Sequence, residues 1–240
     1  MQKADENAIG WCDFTSNPIR LRCPHGCEYC YMKPFYARRP DLWPEKPRLD
    51  SAELDRITHR RKTADIWIGS STDMFADIVP HGMIEAVIAA TQCGESGESA
   101  DTEAGHRFFF LTKNPKRYAE FEFPSNCWLG VTLEFANPKN RGREYMEVIR
   151  GQTIKRFISA EPLLANLWQT VRFIVPDWLI IGADSRRGAK PPIQECVDEA
   201  VAEADNVPNL SGGYGIPVFV KDNLAKHYPD APWANRRERP

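Results

Sequence analysis

Six short apolar runs punctuate the chain: Ile66–Ile68, Phe108–Leu111, Trp128–Leu133, Arg156–Ser159, Trp178–Ile181 and Ile216–Val220. They are rich in β-branched and aromatic residues, and each reads as a strand buried on both faces. Most are separated by segments long enough for a crossover helix. From Met83 to Ala90, Ile84, Val87 and Ile88 fall at helical spacing. From Ile193 to Ala204, Ile193, Cys196, Val197, Ala200, Val201 and Ala204 share one helical face, and Pro191 and Pro192 suit its start. Strands alternating with helices imply a parallel sheet with right-handed crossovers, an α/β fold. The polar stretches Gln92–Gly105 and Asp205–Gly215 read as surface loops, and the prolines between Pro34 and Pro47 predict mostly irregular chain. With no internal repeat and no linker, the expectation is a single domain over residues 1–240.

The six runs share a second feature. Ile66–Ile68 leads into Gly69, Ser70, Ser71, Thr72 and Asp73, and Phe108–Leu111 into Thr112 and Lys113. Trp128–Leu133 contains Thr132 and meets Glu134, and Arg156–Ser159 is followed by Glu161. Trp178–Ile181 is followed by Gly182 and Asp184, and Ile216–Val220 by Lys221. In a parallel β/α barrel these ends line one face, where active sites are built. One polar residue after a strand means only that the chain leaves the core; six in succession predict a shared polar cavity. A chain of 240 residues is short for eight β/α units, so the expected architecture is a partial, TIM-like parallel barrel of six to seven strands, open at its side.

Charge gives no global argument for a polyanionic partner, because the formal net charge is −2. Local basic clusters do occur at Arg56, His59, Arg60, Arg61 and Lys62, at Arg186, Arg187 and Lys190, and in the tail of residues 230–240 at Arg236, Arg237 and Arg239. Taken singly, each reads as a solvated helix face or a frayed end. The N-terminal residues contain no apolar signal region and no stretch approaches membrane-span length, so the expected location is the cytoplasm, with no membrane partner.

In a reducing compartment the cysteines carry the chemistry. There are seven, and three of them, Cys23, Cys27 and Cys30, stand in the run RCPHGCEYCYM at C-x3-C-x2-C spacing. Three thiolates on one loop can hold three irons of a cubane cluster and leave the fourth iron open to a small molecule. The competing reading is zinc, with His25 as a fourth ligand. His25 lies between Cys23 and Cys27 in a cramped chelate, and no second cysteine or histidine pair follows, which favours the cluster. Cys12, Cys93, Cys127 and Cys196 read as small apolar core residues.

The cysteine triplet with the aromatic Tyr29 before its third member, followed by repeating β/α units, resembles the radical S-adenosylmethionine (SAM) superfamily. Within it the chain looks like phage- and prophage-associated radical-SAM-like proteins of poorly defined function, distant relatives of spore photoproduct lyase. The similar stretches are GWCDFTSNP (10–18), GCEYCYM (26–32), SSTDMF (70–75), LTKNP (111–115), LGVTLE (129–134), SAEPLL (159–164), IIGADS (180–185) and PVFVK (217–221).

The resemblance implies a [4Fe-4S] cluster held by Cys23, Cys27 and Cys30 in a loop of residues 22–32. It implies SAM chelating the open iron and its reductive cleavage to a 5′-deoxyadenosyl radical. It places Tyr29 near the adenine, Thr132 and Glu134 near the ribose hydroxyls, and Ile180–Gly182 on the adenine side. Gly69, Ser70 and Ser71 fall where relatives carry Gly-Gly-Glu against the methionine amino group, so hydroxyls and Asp73 have to substitute for that glutamate. Asp73, Lys113, Glu161, Asp184 and Lys221 become candidates for catalytic or substrate contacts. A reductant such as flavodoxin or ferredoxin is implied, and kinship to lesion-repair lyases suggests a nucleic-acid substrate. The alternative function is a nucleic-acid-binding protein with a structural iron–sulfur or zinc site.

Overall fold

The computed structural model describes residues 1–4, 9–92, 105–134, 141–151, 153–209 and 212–240. The chain divides into two compact units, Met1–Leu129 and Gly130–Pro240, with the division inside a strand.

The first unit contains β1 (Gln2–Lys3), β2 (Phe14–Ser16), β3 (Ile19–Arg20), α1 (Lys33–Arg38), β4 (Arg48–Leu49), α2 (Ser51–Thr58), β5 (Asp65–Ile68), α3 (His81–Gln92) and β6 (Arg107–Thr112). The first half of β7 (Cys127–Thr132) completes it. The sheet runs β1–β2–β5–β6–β7, while β3 and β4 form a separate antiparallel ribbon. β1 pairs antiparallel with β2, whereas β2 and β5, and β5 and β6, are parallel. Phe108, Phe109 and Phe110 are fully buried in succession, the signature of a strand covered on both faces. Phe110 joins an aromatic core in which Phe75 meets Tyr118 at 4.7 Å and Phe110 at 5.9 Å between centroids, while Phe109 meets Trp11 at 5.8 Å. Each buried ring contributes on the order of 2 kcal/mol through the hydrophobic effect.

The second unit holds the rest of β7, α4 (Arg141–Ile149), β8 (Lys155–Ala160), α5 (Trp168–Ile174), β9 (Trp178–Ile181), α6 (Gln194–Asn206), β10 (Val218–Val220) and α7 (Asp222–Ala225). Its strand order is β7–β8–β9–β10, with β8–β9 and β9–β10 parallel. Packing here is tight enough to dictate a residue. A Cβ on Gly130 would stand 2.2 Å from Cζ of the buried Phe157, so β7 passes β8 only with glycine there.

The parallel strand pairs with intervening helices bear out the α/β expectation, and all six predicted strands are present. Several elements depart from the expectation. The segment read as irregular contains α1, because Pro34 sits in the first helical turn, where a missing N–H costs nothing. Ile193 was expected on the apolar face of α6 but is the residue preceding the helix, 67% exposed. Cys12 and Cys127 are buried as expected, Cys196 is half-exposed, and Cys93 lies outside the described residues, as does most of the loop predicted at Gln92–Gly105. Among the described residues no helix is long and apolar enough to cross a membrane.

Candidate functional site

β5 ends at Ile68 and the chain turns at once. Gly69 adopts φ +84°, a conformation L residues avoid, and a Cβ there would press to 3.2 Å from the Thr72 carbonyl oxygen. The Gly69 N–H donates to the Ser16 carbonyl at 2.8 Å, continuing the β2–β5 ladder, and the Thr72 N–H closes the turn on the Gly69 carbonyl at 3.3 Å. The turn therefore presents Ser70, Ser71, Thr72 and Asp73 at the C-terminal ends of parallel strands.

Two side chains fix this turn. The Asn17 carboxamide oxygen, one residue beyond β2, accepts from the Ser71 N–H at 2.7 Å and the Ser71 hydroxyl at 2.8 Å, and Asn17 Nδ2 donates to Ser70 Oγ at 3.1 Å. Asp73 is buried and accepts from several directions at once. The Thr112 hydroxyl lies 2.8 and 2.9 Å from its two oxygens, the Lys113 N–H 2.8 Å from Oδ2 and the Phe75 N–H 3.0 Å from Oδ1. His25 Nε2 stands 2.7 Å from Oδ2. Burial alone would raise this carboxyl, but the His25 contact and charge, with the Lys113 amide and Thr112 hydroxyl, outweigh it and hold Asp73 below the usual carboxylate range. Asp73 was expected to be available for an amino-group contact; it is instead the node joining the ends of β5 and β6 to the cysteine loop.

The cysteine loop is seated on the same turn. The Tyr31 hydroxyl donates to the Ser70 carbonyl, and the Tyr36 hydroxyl, from α1, to the Ser71 carbonyl at 2.5 Å. Within the loop the Cys30 N–H donates to the Cys27 carbonyl at 3.1 Å, and Gly26 takes φ +62°. Cys23, Cys27 and Cys30 are free and half-buried. Burial pushes the Cys23 thiol up; hydrogen bonds from the Asp73 and His25 amides oppose this, while the Asp73 and Cys30 charges reinforce it. Burial first, and then the Cys23 and Cys30 charges, push the Tyr36 hydroxyl up. Lys113 Nζ lies 5.5 Å from the centroid of the Tyr29 ring, beside the same loop. Among the described residues no three His, Cys, Asp or Glu side chains converge closely enough to hold a metal ion.

The first unit thus brings together Cys23, Cys27, Cys30, Tyr29, Gly69, Ser70, Ser71, Asp73 and Lys113. Sequence reasoning passed over Asn17, Tyr31 and Tyr36, and named Thr112 only as a polar strand end. Asn17 and Thr112 stand in stretches that carry the family resemblance, which was the available signal. The anchoring role of His25 joins residues 48 apart in sequence and had none.

The remaining candidates lie in the second unit. Lys221 Nζ pairs with Glu161 Oε2 at 2.7 Å, the Ser159 hydroxyl donates to Glu161 Oε1 at 3.2 Å, and a Cβ on Gly182 would crowd both partners at 3.1 to 3.2 Å. The ends of β8, β9 and β10 therefore form one polar cluster. Glu134 is buried against Arg141, whose Nη1 donates to it and to the Thr132 carbonyl, each at 2.6 Å. Asp184 stands apart from the Glu161–Lys221 pair: it caps its own turn through the Arg186 amide at 2.9 Å and pairs with the Arg186 guanidinium at 2.6 Å.

A cysteine loop tied by tyrosine, histidine and aspartate contacts to the C-terminal ends of parallel strands defines an α/β protein with a candidate cysteine site. Residues 6–209 match the family described as "Protein of unknown function (DUF5131)", and the chain belongs to that family. No curated protein and no solved structure matches it.

Proposed function

We propose that this protein is a radical SAM enzyme built on a partial β/α barrel. The observation that carries the reading is the seating of the Cys23–Cys30 loop on the Ser70–Asp73 turn, through His25, Tyr31 and Tyr36. Three half-buried sulfurs on one loop are the donor set an iron–sulfur cluster takes, although they do not converge in this structure, so the loop would have to close around the irons. Cys23, Cys27 and Cys30 would hold a [4Fe-4S] cluster. With SAM bound, the pair supplies a reductively generated 5′-deoxyadenosyl radical that abstracts hydrogen.

The chain's own residues position and shield. Tyr31 and Tyr36 occupy the Ser70 and Ser71 carbonyls and lock the loop to the turn. The Ser71 hydroxyl gives its proton to Asn17, which leaves its lone pairs as acceptors for an ammonium group, a role open to it in place of the missing glutamate. Lys113 sets a cation beside Tyr29. Thr132 and Glu134 are assigned to ribose contacts, and the Glu161–Lys221 pair to substrate, on the family resemblance. A flavodoxin- or ferredoxin-type reductant and a nucleic-acid substrate belong to the same proposal.

The test is anaerobic incubation of the reconstituted protein with SAM and dithionite. Release of 5′-deoxyadenosine that is lost in C23A, C27A and C30A supports the reading; a fully reconstituted sample that releases none removes it.

One observation favours a second reading, a nucleic-acid-binding protein with structural zinc. His25 Nε2 is engaged by Asp73, the outer-sphere arrangement in which a histidine offers its other nitrogen to a metal. Zinc retained at one ion per chain and lost in H25A would select it.

A further inference from the structure

The cavity of about 580 Å³ in the first unit lies away from the cysteine loop. It is lined by Met1, Phe14, Asp55, Arg56, His59, Arg60, Arg61 and Lys62, and Phe14 opens β2, whereas Asn17, just past its other end, holds the Ser70 turn. The two features occupy opposite ends of one strand.

Charge in this cavity is unbalanced. Arg56 is neutralised by Glu53 at 2.6 Å, and Asp55 is the one carboxylate on the wall. Facing it are Arg60, Arg61 and Lys62, with His59 beside them, and among the described residues no carboxylate lies within ion-pairing distance of those three permanent cations. Arg60 is the most telling. Its guanidinium carbon stacks 3.8 Å over the Phe14 ring, and its Nε is buried without a hydrogen-bond partner. Burial lowers its pKa, with only the charge of Asp13 opposing. A half-buried arginine on a cavity wall, with its Nε buried and short of a hydrogen-bond acceptor, is a ready seat for an anion.

The shape narrows the anion. A concavity of this volume admits a whole nucleotide, which an unpaired strand can offer and a duplex, with its bases turned inward, cannot. A guanidinium held 3.8 Å over an aromatic ring supplies a cation and a π surface for an unpaired base, and Arg61 and Lys62, both exposed, supply charge for flanking phosphates. We propose that this cavity binds single-stranded nucleic acid, seating one nucleotide against Arg60 and engaging neighbouring phosphates through Arg61 and Lys62. This site stands independently of the cluster reading and needs no metal.

The experiment is fluorescence anisotropy of a labelled single-stranded oligonucleotide with the full chain, titrated over salt. Tight binding at low salt is expected, with log K falling linearly in log salt. R61Q/K62Q, at exposed positions that folding tolerates, should lower that slope by about 1.4, the contribution of two single-strand phosphate contacts. The matched pair R187Q/K190Q in the other unit should leave it unchanged. Absence of binding at low salt, equal loss in both double variants, a mononucleotide competing as well as the oligonucleotide, or tighter binding to anionic vesicles than to the strand would each overturn the proposal.

Discussion

Replacing Asp73 by asparagine keeps the shape and removes the charge at the point where the cysteine loop meets the strand ends. One carboxylate oxygen takes the His25, Lys113 and Thr112 contacts and the other takes Phe75 and Thr112. The amide can keep its oxygen on the His25 side, which sets its NH2 against the Phe75 N–H. That buried donor then has no acceptor, at a cost of about 1–3 kcal/mol. The surviving contacts lose their charge assistance, another 1 kcal/mol or so. The total is about 3 kcal/mol, and with a urea m value of about 2 kcal/mol/M the midpoint should fall by roughly 1.5 M. T112V, which removes a single hydroxyl, should cost about 1 kcal/mol. A second readout ties stability to the site: in metal-free D73N the His25 anchor is weakened and the Asp73 charge that holds the Cys23 thiol up is gone, so Cys23 should react faster with a thiol reagent under native conditions. A midpoint within about 0.2 M of wild type, or unchanged labelling of Cys23, would refute Asp73 as the node of the site.

Three further outcomes are expected. G69A should lower the melting temperature through about 1–2 kcal/mol of backbone strain, because φ is +84° and the Thr72 carbonyl stands 3.2 Å from the added carbon. G130A, measured by soluble yield and thermal shift, should be more damaging than G69A, since the methyl would overlap the Phe157 ring at 2.2 Å and the buried ring has nowhere to move. Glu53 gives a pH signature. Burial would raise its carboxyl, but hydrogen bonds from the Met1 amino group and Ser16, the amino charge and the Arg56 contact bring it down from 4.5 to about 2. A depressed carboxylate stabilises the fold above its unfolded value, and that stability, up to about 3 kcal/mol, is lost as pH falls from about 4.5 toward 2. Stability curves of E53Q should be flatter than wild type over that interval.

The sheet was readable because its strands are continuous apolar runs, and Phe108–Phe110 could be nothing else. What escaped was short or encoded by caps. β2 has three residues and gives no periodicity, although Phe14 and Asn17 at its two ends matter to both sites. α2 announces itself by Asp50, which accepts from the Glu53 amide as an N-cap, but Arg56–Lys62 drew attention as charge and not as the end of a helix. Prolines taken as helix breakers in residues 34–47 include one that starts α1. At the site, spacing alone exposed the cysteines. The supports that join residues 17 to 71, 25 to 73 and 36 to 71 are products of strand pairing, which no local pattern encodes.

The central claim concerns what the three sulfurs hold, and the most direct measurement is iron and sulfide analysis of anaerobically reconstituted protein, with electron paramagnetic resonance of the reduced sample before and after adding SAM. The account predicts about four irons and four sulfides per chain, both lost in C23A, C27A and C30A, and a cluster signal that shifts when SAM is added. A chain that takes up no iron, or a cluster whose signal is indifferent to SAM, would contradict it.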